Sequence, residues 1–472
     1  MENRKVILFE LNEVPYRVFD QYCQDKPQSS FAQLLAQSQQ YETWAEDNVH
    51  LSPTTTWPSL HRGVAFDKHG INSFGQNLQD IDRLYPPLWQ ITTTHGVKTG
   101  VFAPMMSYQP PDDLTHYDFY VPEAFAAEAF AHPQCISIFQ QFNIAMTQAS
   151  RSNVAQKIEW QPALKMLQQA DTLGLSLPTF LDIGAQFIAE RFQPHLRTRR
   201  RSLQTLLGFD IFLQQLQQSQ PSYASFFTNH VAAAMHRYWA ATFPDDYASF
   251  HMSSEWSQRY AHEITFAMDK ADDLLHRLMR FVQNHSGYVL LIAGSMGQAA
   301  LEAKPSDSFL EIAHPQKFMQ TLGVADHEFE VRPSMITQFV VAIAPPKLER
   351  FRNNLSKLTL NGEPLRFTDY HDGLFCFYLT YQDYQGSAHC QLGQTPIPFE
   401  DLGIVRTLHE DSAFLTADHV PQGALLVWDA KNPAHCKSRP QISALDLAPT
   451  ILQNFNIPIP SYMRSPLTLL KS

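Results

Sequence analysis

The segment Tyr288–Ala293 is the strongest constraint on how this 472-residue chain folds. Its six residues, Tyr-Val-Leu-Leu-Ile-Ala, are all apolar and show no alternation with polar residues. Such a run is typical of a strand buried on both faces in the centre of a parallel sheet. Two further segments, Val6–Leu11 and Tyr223–Thr228, have the same strand character, and residues 263–284 have helical spacing. The sequence therefore predicts an α/β fold with a central, mostly parallel sheet flanked by helices.

Composition divides the chain into five parts. Residues 1–120 alternate strand and helix signals and form the first part of the predicted α/β core. Residues 121–220, rich in Gln, Ala, Leu and Phe, are predicted to be a mainly helical insertion. Residues 221–345 continue the core, and 346–405 form a smaller β-rich insertion, because Asn361-Gly362 is a strong type I′ hairpin signal. Residues 406–472 return to the core.

Charge and cysteine usage exclude several classes of protein. The chain has 46 acidic and 35 basic residues, for a net charge of −11, which argues against nonspecific nucleic-acid binding. Its five cysteines are scattered without a C-x-x-C pair, as expected of free thiols in a reducing compartment. The sequence shows no signal-peptide-like segment and no apolar run of roughly 20 residues. We expect a soluble, cytoplasmic protein with no membrane span.

The segment Pro53–Gly63 carries the clearest chemical signal. It contains Thr54-Thr55-Thr56 followed by Trp57-Pro58. A hydroxyl at the start of a helix lies among unpaired backbone N–H groups at the positive end of the helix dipole, which favours an anion such as phosphate or sulfate. The alternative is structural: Thr55 or Thr56 is the N-cap of a helix that begins at Trp57-Pro58, because Pro favours the first helical turn.

The order of segments resembles a known family. The strand Val6–Leu11, the turn Thr56-Trp57-Pro58-Ser59, and the segment Lys68-His69-Gly70-Ile71-Asn72 resemble the alkaline phosphatase superfamily, in particular its type I phosphodiesterase/nucleotide pyrophosphatase branch. His419 ahead of a strand and the segment Asp446–Thr450 resemble that family's closing segments. The resemblance implies an alkaline phosphatase-like fold, and it implies that Thr56 is a nucleophile and a metal ligand.

The acidic metal ligands of that family are missing at the matching positions. The first Asp corresponds to Asn12, and the Asp and His of a Ser-Asp-His-Gly turn correspond to Ser295 and Met296. A third Asp corresponds either to Ala232 or to Asn229, depending on the alignment. Two dications without compensating carboxylates would be strongly disfavoured in a partly buried pocket. The sequence therefore predicts an altered, degenerate metal site.

Two arrangements of the site remain open. In one, His230, His236 and His419 hold a single divalent ion such as zinc or manganese, with Glu10 or Glu13 nearby. In the other no metal is bound, and one of the three histidines activates Thr56 as a base. In both, we expect Thr56, Asn12, His230 and His236 to be catalytic and another set of polar residues to bind substrate. That set is Asn229, Ser295 and Gln298.

Three functions are compatible with these features. The first, which the residues favour, is an enzyme. It would be a hydrolase or transferase that acts through Thr56 on a small-molecule or glycan-linked phosphate ester, sulfate ester or phosphodiester. The second is a catalytically degenerate binding or scaffold protein that keeps the pocket. The third is a metal-independent transferase in glycan assembly. The sequence predicts neither the identity of the substrate nor the oligomeric state.

Overall fold

A computed structural model of the chain describes residues 3–47, 51–150, 160–249, 251–285, 287–303, 307–334, 338–370, 373–379, 390–411 and 415–470. Strands and helices are numbered here in chain order. An eight-stranded sheet forms the centre of the molecule. Its strands are β1 (Lys5–Leu11), β2 (Gln39–Trp44), β3 (Thr99–Phe102), β4 (Tyr117–Val121), β5 (Tyr223–Thr228), β6 (Tyr288–Ala293), β19 (Gln422–Trp428) and β20 (Gln441–Ser443).

The central sheet has the order β20-β2-β19-β6-β1-β5-β3-β4. The five neighbours β6, β1, β5, β3 and β4 run parallel to one another, whereas β19 runs antiparallel to β6 and β2. The three strands predicted from apolar runs lie side by side as β5, β1 and β6, in the middle of this sheet. The prediction of a mostly parallel α/β sheet is confirmed.

Helices cover both faces of the sheet, which explains why its central strands β1, β5 and β6 are mostly apolar. Along β1, Ile7 and Phe9 pack into one core cluster, and Val6 and Leu8 pack into another on the opposite face. Because successive side chains of a strand point to opposite faces, neither face of β1 is exposed to solvent. The helices before residue 135 are α1 (Tyr16–Asp25), α2 (Ser30–Gln37), α3 (Pro53–Arg62), α4 (Phe66–His69), α5 (Gln79–Leu84) and α6 (Leu88–Thr94).

The segment between β4 and β5 is mainly helical where it is described beyond residue 134. Further helices follow between β5 and β6 and near the C-terminus. They are α7 (Ser137–Ser150), α8 (Trp160–Gln168), α9 (Ala170–Leu173), α10 (Leu177–Phe192), α11 (Arg200–Ser219), α12 (His230–Thr242), α13 (Ser254–Tyr260), α14 (Glu263–Asn284), α15 (Pro315–Thr321), α16 (Leu348–Leu355) and α17 (Leu447–Asn454). Short 3-10 helices cover Gln134–Ile136, Pro194–Arg199, Pro244–Asp246, Asp326–Glu328, Pro345–Lys347 and Ala444–Asp446.

A β-rich unit with a core of its own lies between β6 and β19. Its core cluster runs from Leu310 to Ile404, so the unit begins well before residue 346, where the sequence predicted it. The first and last strands of the unit pair with each other over Ser308–Ile312 and Ile404–Leu408, a long-range contact that local patterns do not reveal. Asn361 and Gly362 have φ angles of 52° and 84°, as the predicted hairpin turn requires.

The strands outside the central sheet form two four-stranded and two two-stranded sheets. They are β7 (Gly297–Ala300), β8 (Ser308–Ile312), β9 (Phe329–Arg332), β10 (Gln338–Ile343), β11 (Leu358–Leu360), β12 (Glu363–Pro364), β13 (Phe367–Asp369), β14 (Leu374–Tyr378), β15 (Cys390–Leu392), β16 (Thr395–Ile397), β17 (Ile404–Leu408) and β18 (Ala417–Val420). Among the described residues, no helix combines the length and the apolar composition that crossing a bilayer requires.

Candidate functional site

Polar residues collect where the parallel strands end. Asn12 and Glu13 follow β1, Asn229 follows β5, and Ser295 follows β6 by two residues. The carboxyl ends of parallel strands meet at one edge of a sheet, and α/β proteins generally bind ligands outside that edge. The antiparallel β19 begins at the same edge, and His419, three residues before it, lies close to Glu13.

One carboxylate and two imidazoles form the centre of the cluster. Glu13 Oε2 lies 3.1 Å from His236 Nε2 and 3.5 Å from His419 Nε2. One ligand atom from each residue lies within 4.8 Å of the other two, and the rings of His236 and His419 meet edge to face with centroids 5.0 Å apart. A carboxylate oxygen and two imidazole nitrogens are donors that suit zinc and manganese-type ions. The donor set therefore fits one divalent metal.

The other nitrogen of each imidazole is fixed by the backbone. His236 Nδ1 lies 2.9 Å from the Ala417 carbonyl oxygen, and His419 Nδ1 lies 3.1 Å from that of Leu51. A carbonyl oxygen only accepts, so the hydrogen of each ring lies on Nδ1 and Nε2 faces Glu13. Two lone pairs directed at a carboxylate repel it. The arrangement consequently requires a positive charge between the three atoms, either protons on Nε2 or a cation.

The charges of Glu13 and His419 support each other. Burial alone would raise the pKa of the Glu13 carboxyl, but the imidazoles of His419 and His236 outweigh burial and hold that pKa well below 4.5. Burial alone would lower the pKa of His419, but the Glu13 carboxylate outweighs it and raises that pKa above 6.5. Without a metal, the cluster is thus an ionised pair in a buried place.

Thr56 lies one turn inside α3. The N-cap of this helix is Ser52 and the helix begins at Pro53, so the expectation that Thr55 or Thr56 caps a helix at Trp57 is wrong. Pro53 takes the first helical position, where a missing N–H costs nothing. The Thr56 hydroxyl lies 3.1 Å from the Ser52 carbonyl oxygen and 2.8 Å from Ser295 Oγ, and it is almost completely buried.

Asn12 uses all of its hydrogen-bonding capacity to hold the site together. Its amide nitrogen donates to Glu13 Oε1 at 2.8 Å and to Asn229 Oδ1 at 2.7 Å, and its oxygen accepts from Trp57 Nε1 at 2.7 Å. Gln298 donates to Glu13 Oε2 and, at 3.2 Å, to the Ala232 carbonyl oxygen. Asn12 and Gln298 therefore hold the Glu13 carboxylate directly, and Asn229 in turn holds Asn12.

His230 is placed differently from the other two predicted histidines. It is the first residue of α12, and its Nδ1 lies 2.7 Å from Thr228 Oγ1 while its Nε2 lies 3.1 Å from the Ala267 carbonyl oxygen. Both ring nitrogens are engaged inside the helical layer, and burial lowers the pKa of this imidazole to about 4. The structure brings Glu13, and not His230, to His236 and His419.

Glu10 and Arg62 have structural partners. Glu10 is fully buried within 3.2 Å of His61 Nε2, away from the histidine pair. Arg62 forms a salt bridge with Asp82. Sequence reasoning named Glu13 only as a neighbour of the metal. The available signal was its position directly after β1, at the strand edge where His236 and His419 were expected.

The sheet and the cluster define a class: a mixed α/β protein with a partly buried Glu-His-His cluster and a helix-borne threonine at the carboxyl edge of its parallel strands. A scan against protein-family models and a search of curated protein sequences found no match. A search of solved structures found many matches.

The solved structures include two ectonucleotide pyrophosphatase/phosphodiesterases and a phosphatase. Murine ectonucleotide pyrophosphatase/phosphodiesterase 5 is 11% identical, with 97% of this chain and 96% of that chain covered and a TM-score of 0.41. The human counterpart is 11% identical, with 99% and 100% covered and a TM-score of 0.42. A Mg-bound mutant of TAB5 alkaline phosphatase is 8% identical, with 97% and 100% covered and a TM-score of 0.38.

Proposed function

We propose that this chain is a hydrolase or transferase for a phosphate or sulfate ester, with Thr56 as nucleophile and one divalent metal held by Glu13, His236 and His419. The observation that carries the proposal is the convergence of Glu13 Oε2 with two Nε2 atoms whose rings are locked by backbone carbonyls. Locked rings with free nitrogens facing a carboxylate are the usual surroundings of a metal ion in proteins.

The metal group and the threonine are mechanically linked. His419 donates to the carbonyl of Leu51, and the next residue, Ser52, supplies the carbonyl that contacts Thr56 Oγ1. Asn12 links Glu13 to Trp57, the residue after Thr56. When bound, a divalent ion at this group would polarise an ester oxygen and offset the charge of the phosphoryl or sulfuryl group.

The residues around Thr56 limit how its proton leaves. In this proposal, Thr56 Oγ1 forms the bond to phosphorus or sulfur as the ester oxygen departs. Within the described part of the chain, Ser295 is the side chain that shares a hydrogen bond with Thr56, and the histidines have other partners. In this proposal the Ser295 hydroxyl relays the proton: it accepts the hydrogen of Thr56 Oγ1 and passes its own to the departing ester oxygen. Direct activation by His230, His236 or His419 loses support.

A binding protein is the second candidate, and one observation favours it. Asn12 and Ser295 replace carboxylates of the related enzymes with neutral groups, and both are already engaged in internal hydrogen bonds. A pocket built this way can hold a polar ligand without turning it over. A metal-independent transferase in glycan assembly would use the same residues with a protonated histidine pair instead of a metal.

Metal content and turnover test the proposal together. We expect about one zinc or manganese per chain by inductively coupled plasma mass spectrometry, lost in Glu13→Gln, His236→Ala and His419→Ala. His230→Gln is the matched control and should keep its metal, because its ring nitrogens are engaged elsewhere. Turnover is assayed with p-nitrophenyl phosphate, bis-p-nitrophenyl phosphate and p-nitrophenyl sulfate.

The outcomes separate the candidates. Metal bound with turnover of one ester supports the proposed enzyme. Metal bound without turnover of any ester favours the binding protein. A wild-type protein that stays metal-free after incubation with zinc and manganese contradicts the metal site, and turnover in that state would indicate the metal-independent transferase.

A further inference from the structure

Helix α10 packs Phe180 and Ile183 against the core, but it exposes five other large apolar side chains and buries two polar ones. Among the described residues, eight of the thirteen exposed large apolar side chains lie in α8 and α10. On α10 the exposed ones include Leu177, Leu181, Ile188 and Phe192, the last of them 81% exposed. The buried positions of the same helix are Thr179 and Gln186, and Gln186 donates to the Leu196 carbonyl oxygen at 2.6 Å. This inverted pattern indicates a helix face that is meant to be covered.

The exposed stripe is symmetric about its own centre. Leu177 and Phe192 are equally far from the midpoint between residues 184 and 185, and so are Leu181 and Ile188. At the midpoint stand Gly184 and Ala185, both exposed, and a Cβ at Gly184 would meet nothing within 4 Å. Two copies of α10 packed antiparallel would therefore place Leu181 of each against Ile188 of the other, with small residues at the crossing point.

We propose that α10 is the interface of a two-fold symmetric homodimer. A two-fold interface must be self-complementary, and the symmetric stripe satisfies that condition by its sequence spacing alone. With Phe187, the large apolar residues of α10 expose roughly 600 Å² in one copy, so two copies would bury roughly 1,200 Å², the lower end of stable interfaces.

The charges disfavour a membrane surface as the occupant. Arg191 is the single charged residue among the exposed positions of α10, and the whole chain carries a net charge of −11. Peripheral helices that bind anionic bilayers usually carry several Lys and Arg residues on their polar face. A second copy needs no such charges.

Charge-swap variants of the full chain test the antiparallel pairing. Sedimentation velocity should give twice the monomer mass of 53.9 kDa at micromolar concentration. Leu181→Lys and Ile188→Glu should each weaken dimerisation at least tenfold. An equimolar mixture of these two variants should dimerise again, because the new lysine of one chain meets the new glutamate of the other. The double variant should also dimerise.

Two controls keep folding separate from association. Gly184→Phe has room in the monomer but would hold the crossing helices apart, so it should be folded and monomeric. Gln168→Glu on α8 is exposed and should leave the dimer intact. A wild-type monomer up to 100-fold above that concentration overturns the proposal, as does a dimer that Ile188→Glu leaves unchanged. Binding of the wild type to phosphatidylcholine vesicles, lost in Ile188→Glu, would show that the stripe contacts lipid instead.

Discussion

At the scale of single residues, Thr55 and Thr56 form a natural matched pair. Both are buried in the first turns of α3, but Thr56 Oγ1 contacts Ser52 and Ser295, whereas Thr55 Oγ1 has no hydrogen-bond partner among the described residues. A buried hydroxyl that makes no hydrogen bond adds no stability, so replacing it with a methyl group costs nothing. The two positions therefore separate a chemical role from a packing role within one helix turn.

Replacing each threonine with valine tests that separation. We expect Thr56→Val to lower turnover roughly 10³-fold or more, because the proposed nucleophile is gone. Thr55→Val should keep turnover and equal or exceed the wild type in thermal stability. The measurement is the ester assay described above, with urea unfolding of each variant alongside. Turnover retained by a folded Thr56→Val protein would remove Thr56 from the mechanism.

His230 predicts a pH dependence of stability. Burial lowers its pKa from 6.5 to about 4, so the folded state holds the neutral ring and the unfolded state binds the proton first. The contribution of His230 to the free energy of unfolding is fully present above pH 6.5 and is lost as pH falls towards 4. At about 1.4 kcal/mol per pH unit, the loss amounts to about 3 kcal/mol.

The check is the unfolding free energy of wild type and His230→Gln from pH 8 to pH 3, measured with a chelator present. The difference between the two proteins should be constant above pH 6.5 and shrink below it. His69 serves as a comparison, since burial lowers its pKa to about 3 and its difference should go on shrinking to lower pH. A difference that is independent of pH would be incompatible with a buried neutral His230.

At the scale of elements, the glycine that follows α3 allows the end of this helix to pack closely against its neighbours. Gly63 follows the helix with φ of 62°, and a Cβ there would come within 3.0 Å of Met463 Cγ and 3.4 Å of the Leu445 carbonyl oxygen. Gly70, after α4, has almost the same φ of 63°, but a Cβ there would meet nothing within 4 Å. Glycine at both positions avoids left-handed strain, and at Gly63 it also permits close packing.

Gly63→Ala and Gly70→Ala should therefore lower the free energy of unfolding by different amounts. Each variant bears roughly 1 kcal/mol of left-handed strain, and Gly63→Ala adds roughly another 1 kcal/mol from crowding against Met463. Urea unfolding measures the stability loss of each variant, provided that the dependence of the unfolding free energy on urea concentration is unchanged. Equal losses would show that Met463 moves aside without cost. Because α3 carries Thr56, we expect Gly63→Ala to lower turnover as well, and Gly70→Ala to leave it unchanged.

Elements with a strong local pattern could be predicted from the sequence, and those fixed by distant contacts could not. Tyr223–Thr228, Tyr288–Ala293 and the helix Glu263–Asn284 have the predicted bounds, because their apolar patterns begin and end with the element. The start of α3 was missed, because Pro58 inside a helix looks locally like a helix start. The β-rich unit was drawn too short, because the pairing of β8 with β17 joins segments almost a hundred residues apart.

In the candidate site, too, residues with a local sequence signal could be predicted and those fixed by distant contacts could not. His236 and His419 could be selected because each stands in a segment with family-like order, but nothing local distinguishes His230 from them. Its ring is turned inward by the Ala267 carbonyl of α14, a contact across two helices. Glu13 reaches the histidines from a backbone with φ of 62°, a conformation that a glutamate seldom adopts. The sequence does not predict this conformation. Glu13, the third proposed ligand, was therefore within the predicted neighbourhood but not assigned.

At the scale of the whole molecule, the hydrophobic interior is divided. Two core clusters lie on the two faces of the central sheet, and a third belongs to the β-rich unit alone. Phe351 is fully buried in the third cluster, and Leu8 is fully buried in one that faces the sheet. Separate cores allow separate opening, since local stability follows the contacts that each unit makes within itself.

The last prediction concerns that division. Phe351→Ala removes a buried aromatic ring and should cost about 3–5 kcal/mol, concentrated in the β-rich unit. Hydrogen exchange followed by mass spectrometry should show faster exchange over 308–408, with β1, β5 and β6 still protected. Leu8→Ala is the matched control and should accelerate exchange in the central sheet. If Phe351→Ala instead loosens the central strands as much as the β-rich unit, the two regions unfold as one, and the Glu13 cluster at the sheet edge depends on both.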